Sequence, residues 1–143
     1  MADIISNSPE ETIAAGKRIS NFLLPGSVVA LSGTLGSGKT YLTKGIALGL
    51  GITENLTSPT YTIINEYAIK TSAAFYHIDA YRLNDEKDFE NTGGLEIINS
   101  EGIIVIEWSE RISSSLPQNS IFVSLEITGA TSRKIRIKGI DSL

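Results

Sequence analysis

Residues 33–40 read GTLGSGKT and satisfy the pattern G-x-x-x-x-G-K-[ST], which restricts this chain more than any other stretch. Glycines let the backbone curl so that successive N–H groups turn inward toward phosphate oxygens. The run SVVALS ahead of the loop reads as a short buried strand. The run behind it reads as a helix through about Leu50, with Gly51 near its end. A helix that begins at an anion adds its dipole and its free N–H groups. Lys39 supplies a mobile positive charge for the β- and γ-phosphates, and Thr40 a hydroxyl for Mg²⁺. The expected cofactors are therefore ATP and Mg²⁺, held by Gly33, Leu35, Gly36, Ser37, Gly38, Lys39, Thr40 and Tyr41. Gly36 is not demanded by the pattern and reads as added flexibility. The chain has no N-K-x-D guanine motif, which favours adenine.

A strand–loop–helix unit needs a sheet to pack against, and the rest of the chain offers one. NSPEETIAAGKRISNFL opens as a helix, with Ser8 as cap, Pro9 at the first helical position and Glu11 completing a capping box. Ile13, Ala14, Ile19, Phe22 and Leu23 supply its expected apolar stripe, and LPG ends it. TSPTYTIINEYAI reads as a loop running into a strand, while AAFYHIDAY and GIIVIEW are apolar runs that each end at a carboxylate. A polar stretch between them carries an expected helix on either side of Gly93-Gly94. The tail alternates on both sides of TGATS and reads as a β-hairpin. The expectation is an α/β fold, a small P-loop domain over residues 1–143 with a mostly parallel sheet and a C-terminal hairpin.

Composition narrows the setting. At 143 residues the chain fits one domain, and its lack of cysteine excludes disulfides and thiolate metal sites. The N-terminus has no signal-peptide pattern and no apolar run is long enough for a bilayer, so the expected location is cytoplasmic. A net charge of −4 argues against a free-standing electrostatic grip on nucleic acid. The one basic cluster, SRKIRIKG, reads as a strand with one solvated face.

A phosphate loop needs an acidic residue at the end of a neighbouring strand to orient Mg²⁺ or its water. Asp79 and Glu107 both qualify, and the pattern alone does not divide their roles. His77, the single histidine, reads more readily as a packed or hydrogen-bonded residue than as a catalyst. Arg82 lies three residues after Asp79, within reach of a phosphate or of Asp79 itself. Trp108 follows Glu107 and is expected at the active edge of the sheet, where it would sense nucleotide. Thr57, Ser58, Pro59 and Thr60 form a polar loop of the kind that closes over a γ-phosphate in nucleotide switches.

GTLGSGKT, SPTYT, HIDAYR and EWSER occur in that order, behind a short N-terminal helix and ahead of a hairpin. The set resembles the TsaE family, small bacterial ATPases of tRNA threonylcarbamoyladenosine (t6A) biosynthesis, over about residues 8–139. The resemblance implies a compact P-loop domain working with the partner proteins TsaD and TsaB. It implies hydrolysis of ATP that resets that complex between transfers to adenosine 37 of tRNA, with RNA met indirectly. By position it gives Lys39 to phosphate, and Thr40 and Glu107 to Mg²⁺. Ser58, Pro59 and Thr60 would belong to a first switch, and His77, Asp79 and Arg82 to a second. Asp79 would be the residue most needed for hydrolysis, so the catalytic set is Lys39, Asp79 and Glu107. Thr34 departs from the family, which usually has an acidic residue there. Ser37 stands where alanine is common. For adenine the candidates are Glu11, Thr12 and Arg133.

Two other functions share this loop. A small-molecule or nucleotide kinase usually brings an arginine-rich lid, whereas the five arginines here are scattered. A nucleotide-gated interaction module would bind ATP and leave it intact, against which the presence of both Asp79 and Glu107 speaks. No arginine finger is placed by the sequence, so hydrolysis by the chain alone is expected to be slow.

Overall fold

Runs of Val and Ile bounded by turns build the centre of a computed structural model that describes residues 1–56, 64–69 and 74–143. In chain order the elements are β1 (Ala2–Ser6), α1 (Pro9–Ser20), β2 (Val28–Gly33), α2 (Lys39–Gly49), β3 (Ile64–Ala68) and β4 (Ala74–Asp79). There follow α3 (Glu86–Asn91), α4 (Gly94–Ile98), β5 (Ile103–Glu107), β6 (Ile121–Ile127) and β7 (Arg133–Lys138). Short 3-10 segments lie at Ala80–Arg82 and Ser109–Ser115. Strands β1 to β7 form a seven-stranded sheet in the order β1-β7-β6-β2-β5-β4-β3.

The four central strands, β6, β2, β5 and β4, are parallel, as the alternation of strands and helices predicts. Antiparallel strands close both edges: β3 on β4, and β7 with β1 beyond β6. The β6–β7 hairpin is present as expected. Strand β1 has no counterpart in the sequence expectation. Its five residues are too short to signal a strand alone, and it forms by docking on the open edge of β7, with Ile4 opposite Ile135. The alternation of RKIRIK also holds, since Ile135 and Ile137 are buried while Arg136 and Lys138 face solvent. Glu126 stands opposite Lys134 and Asp3 opposite Arg136 in the register, which tempers the basic character of that face.

Helices α1 and α2 cover one face of the sheet over Val29, Leu31, Phe75, Val105 and Val123. Helices α3 and α4 and the segment after β5 cover the other, over Ile78, Ile104 and Ile106. Ser8 caps α1 through a 3.1 Å bond from the Glu11 N–H, as the sequence predicts. The expected apolar stripe of α1 holds only in part: Ile19 and Leu23 are buried in the core and Ile13 is half-buried. Ala14 and Phe22 are exposed, and the buried positions are Thr12, Ala15, Gly16, Ile19 and Ser20. The cause is close approach rather than apolar bulk. A Cβ at Gly16 would lie 2.3 Å from the Leu42 carbonyl oxygen, and one at Gly45 2.0 Å from that of Ile13. Small residues face each other because the backbones nearly touch.

Candidate active site

The loop at residues 33–38 leaves the end of β2 and enters α2 through conformations that glycine alone adopts without strain. Gly33, Gly36 and Gly38 have φ of 148°, 80° and 104°. The reading of Gly36 as added flexibility is therefore corrected: its backbone is left-handed, and its carbonyl accepts from Arg133 Nη2 at 3.0 Å. A Cβ at Gly33 would meet Ser37 Oγ at 2.6 Å and the Leu125 carbonyl oxygen at 2.7 Å. Leu35 projects at the tip, 83% exposed, while Ser37 is fully buried. Thr34 is exposed, away from the loop's interior.

Lys39, only 5% exposed, lies along this loop. Its Nζ donates to the Gly33 and Thr34 carbonyls at 2.6 and 3.0 Å, and sits 3.9 Å from the centre of the Trp108 ring. Burial lowers the ammonium below its ordinary pKa, opposed in part by the negative charges of Glu107, Glu110 and Asp79. Trp108 is the only non-glycine residue with positive φ among the described residues, at 57°. Such a turn costs about 1 kcal/mol. Its indole meets Tyr81 at 4.9 Å between centroids, and Arg111 lies 5.1 Å from the Tyr81 ring. Trp108 thus lies beside the glycine loop, at the end of β5.

Both candidate carboxylates end parallel strands at that edge. Asp79 and Glu107 are register partners across β4 and β5. Asp79 Oδ1 accepts the Tyr81 N–H at 3.0 Å, which fixes it as the cap of the turn Ala80–Arg82. Glu107, 7% exposed, accepts the Thr40 hydroxyl on Oε1 at 3.3 Å, while its Oε2 contacts His77 Nε2. Of the two carboxylates, Glu107 is thus the one beside Thr40. His77 is 1% exposed, and its Nδ1 has no hydrogen-bond partner among the described residues. Arg82 is exposed at the end of its turn. Ser58, Pro59 and Thr60 lie outside the described residues.

Thr40 and Glu107 offer a pair of oxygens to a hard cation, and no cluster of three or more metal-ligating side chains occurs among the described residues. That arrangement fits Mg²⁺, which usually takes one or two protein oxygens and completes its shell with phosphates and water. A cleft of ≈ 200 Å³ runs over these residues, lined by Leu35, Gly36, Gly38, Lys39, Thr40, Tyr41, Glu107 and Trp108. A second cleft adjoins it through Gly36, Gly38 and Tyr41, and is walled by the cap Ser8 with Pro9 and Thr12 of α1, and by Ala130, Thr131 and Arg133 of the hairpin. Thr12 and Arg133 line it and Glu11 does not. Ala130 and Thr131 carry no signal in the sequence, because only the folded hairpin brings its turn to the loop.

Comparison with known proteins follows the same lines. The family model "Threonylcarbamoyl adenosine biosynthesis protein TsaE" matches residues 6–135. The chain is 41% identical to the TsaE protein of Treponema pallidum over 133 residues, covering 93% of this chain and 97% of that one. It is 41% identical to the Bacillus subtilis TsaE protein, covering 93% and 82%. The crystal structure of Bacillus subtilis YdiB superposes with a TM-score of 0.74 at 34% identity, covering 94% of this chain and 82% of that one. No described helix is long and apolar enough to cross a membrane.

Proposed function

Because this chain belongs to the TsaE family and so to tRNA threonylcarbamoyladenosine biosynthesis, we propose that it is the Mg²⁺-dependent ATPase that resets the TsaB–TsaD complex. One observation carries the reading: the Thr40 hydroxyl and the Glu107 carboxylate, 67 residues apart in sequence, meet at 3.3 Å above the glycine loop. That is the pair an ATPase needs at the metal side of the β- and γ-phosphates.

The loop N–H groups and the start of α2 hold the phosphates, and Lys39 exchanges its loop carbonyls for phosphate oxygens. Thr40 and Glu107 would hold Mg²⁺, which would supply positive charge to offset that of the phosphates. Asp79, fixed by the Tyr81 N–H, orients the attacking water. The adenosine lies in the cleft between the start of α1 and the hairpin turn, with Arg133 at its wall. Ser58, Pro59 and Thr60 form one switch, and His77, Asp79 and Arg82 the other. Their rearrangement on loss of the γ-phosphate carries the nucleotide state to the partners. The tRNA is met through the complex, not through the acidic chain itself.

The test is steady-state ATP turnover by wild type, Lys39→Ala and Asp79→Asn, each alone and with TsaB–TsaD. Wild type is expected to be slow alone and to change rate with its partners. Asp79→Asn should bind ATP and fail to turn it over, and Lys39→Ala should fail to bind. Turnover that scales with an added small-molecule acceptor would instead mean a kinase. Tight binding with intact ATP under every condition would mean a nucleotide-gated module.

A further inference from the structure

His77 and Glu107 lie on the same face of the sheet. His77 stands opposite Val105 in the parallel register, and Glu107 follows Val105 by two residues, the period that returns a side chain to one face. Both side chains are buried, and their contact joins His77 Nε2 to Glu107 Oε2. A carboxylate only accepts, so Nε2 carries the proton and donates. On its other side the imidazole meets no partner among the described residues, where Nδ1 is buried without a hydrogen bond. With the proton on Nε2, a neutral ring leaves Nδ1 bare, so that no unpaired donor is buried there.

A glutamate's terminal torsion is soft and leaves its two oxygens interchangeable. Here each oxygen has a separate neighbour: Oε2 meets the imidazole, and Oε1 meets Thr40 Oγ1 at 3.3 Å. We propose that His77 is a positioning residue for Glu107, holding Oε2 so that Oε1 stays beside the Thr40 hydroxyl, and thereby setting the Mg²⁺-dependent part of nucleotide affinity. This rests on the reading of Glu107 as the metal-side carboxylate. Its warrant is general: groups that orient a metal's ligands commonly govern metal affinity by about 10- to 100-fold.

The experiment measures affinity for a non-hydrolysable ATP analogue by calorimetry with Mg²⁺ and with EDTA, for wild type, Glu107→Gln, His77→Leu, His77→Gln and His77→Asn. Glu107→Gln should abolish the gain in affinity that Mg²⁺ gives wild type. His77→Leu should reduce that gain by about tenfold or more while leaving the EDTA affinity intact. His77→Gln, whose amide reaches the place of Nε2, should restore most of the gain, and His77→Asn, whose amide falls at Nδ1, should not. A variant that merely unfolds loses binding in EDTA as well, which separates that case. Because the chain has one histidine, its ring ¹⁵N signals need no assignment, and they should show Nε2 protonated and Nδ1 bare. A full Mg²⁺ gain in His77→Leu beside a lost gain in Glu107→Gln overturns the positioning role and leaves the parent reading standing. A full gain in Glu107→Gln overturns both. The opposite tautomer also overturns the positioning role.

Discussion

Lys39 shows how a single side chain is prepared for its task. Its ammonium is buried against its own loop, bonded to the Gly33 and Thr34 carbonyls and covered by the Trp108 ring. Desolvation lowers its pKa despite three nearby carboxylates. The folded chain therefore releases this proton at a lower pH than the unfolded chain does. The penalty is fully present at pH values below the folded pKa, and is relieved as pH rises toward the ordinary lysine value of 10.5. Wild type should gain stability relative to Lys39→Met as pH is raised through that window. Urea midpoints of the two proteins at a series of pH values check this, and a difference that falls with pH contradicts it. The motif identified Lys39 at once. Its low exposure and its indole cover were not legible, because Trp108 lies 69 positions further along the chain.

At the scale of elements, the contact between α1 and α2 departs from what the sequence predicts. The apolar stripe expected on α1 assumed that a helix packs through large side chains. This pair packs through Gly16 and Gly45, where the backbones approach too closely for a Cβ. Gly45→Ala is expected to destabilise the protein by about 1–3 kcal/mol, as overpacking does. Lys44→Ala, on the exposed side of the same helix, should leave stability unchanged. Thermal unfolding of the two variants compares them directly. The consequence reaches function, since α2 begins at the phosphate loop and α1 with its cap supplies Ser8, Pro9 and Thr12 to the adjoining cleft. The caps and turns of these helices were readable because capping depends on a few consecutive residues. Their mutual distance was not.

For the molecule as a whole, the site is a meeting of distant segments at one edge of the sheet. The loop after β2, the ends of β4 and β5, the start of α1 and the β6–β7 turn all converge there. Arg133 ties the hairpin to the loop through Gly36, and its other guanidinium nitrogen holds the turn through the Gly129 and Ser132 carbonyls. Arg133→Ala should weaken ATP and ADP binding alike, by about tenfold, if the adenosine lies beside it. Turnover at saturating ATP should be unchanged, because Arg133 lines the adjoining cleft and not the one that holds Glu107. Calorimetry with both nucleotides, beside a turnover assay, distinguishes this from a γ-phosphate contact, which would weaken ATP alone.

The sequence by itself determined whatever is encoded within a short window. It specified the phosphate loop with its glycines, the Ser8 cap, the apolar runs that end at Asp79 and Glu107, and the C-terminal hairpin. These follow from local backbone preference and from the period of the apolar pattern, neither of which needs the rest of the chain. Only the tertiary structure decided that Glu107 rather than Asp79 stands beside Thr40, that His77 touches Glu107, and that β1 closes the edge of β7. It alone also decided that Arg133 reaches Gly36. Each of these depends on strand register or helix distance between segments far apart in the chain, and no local window contains both partners.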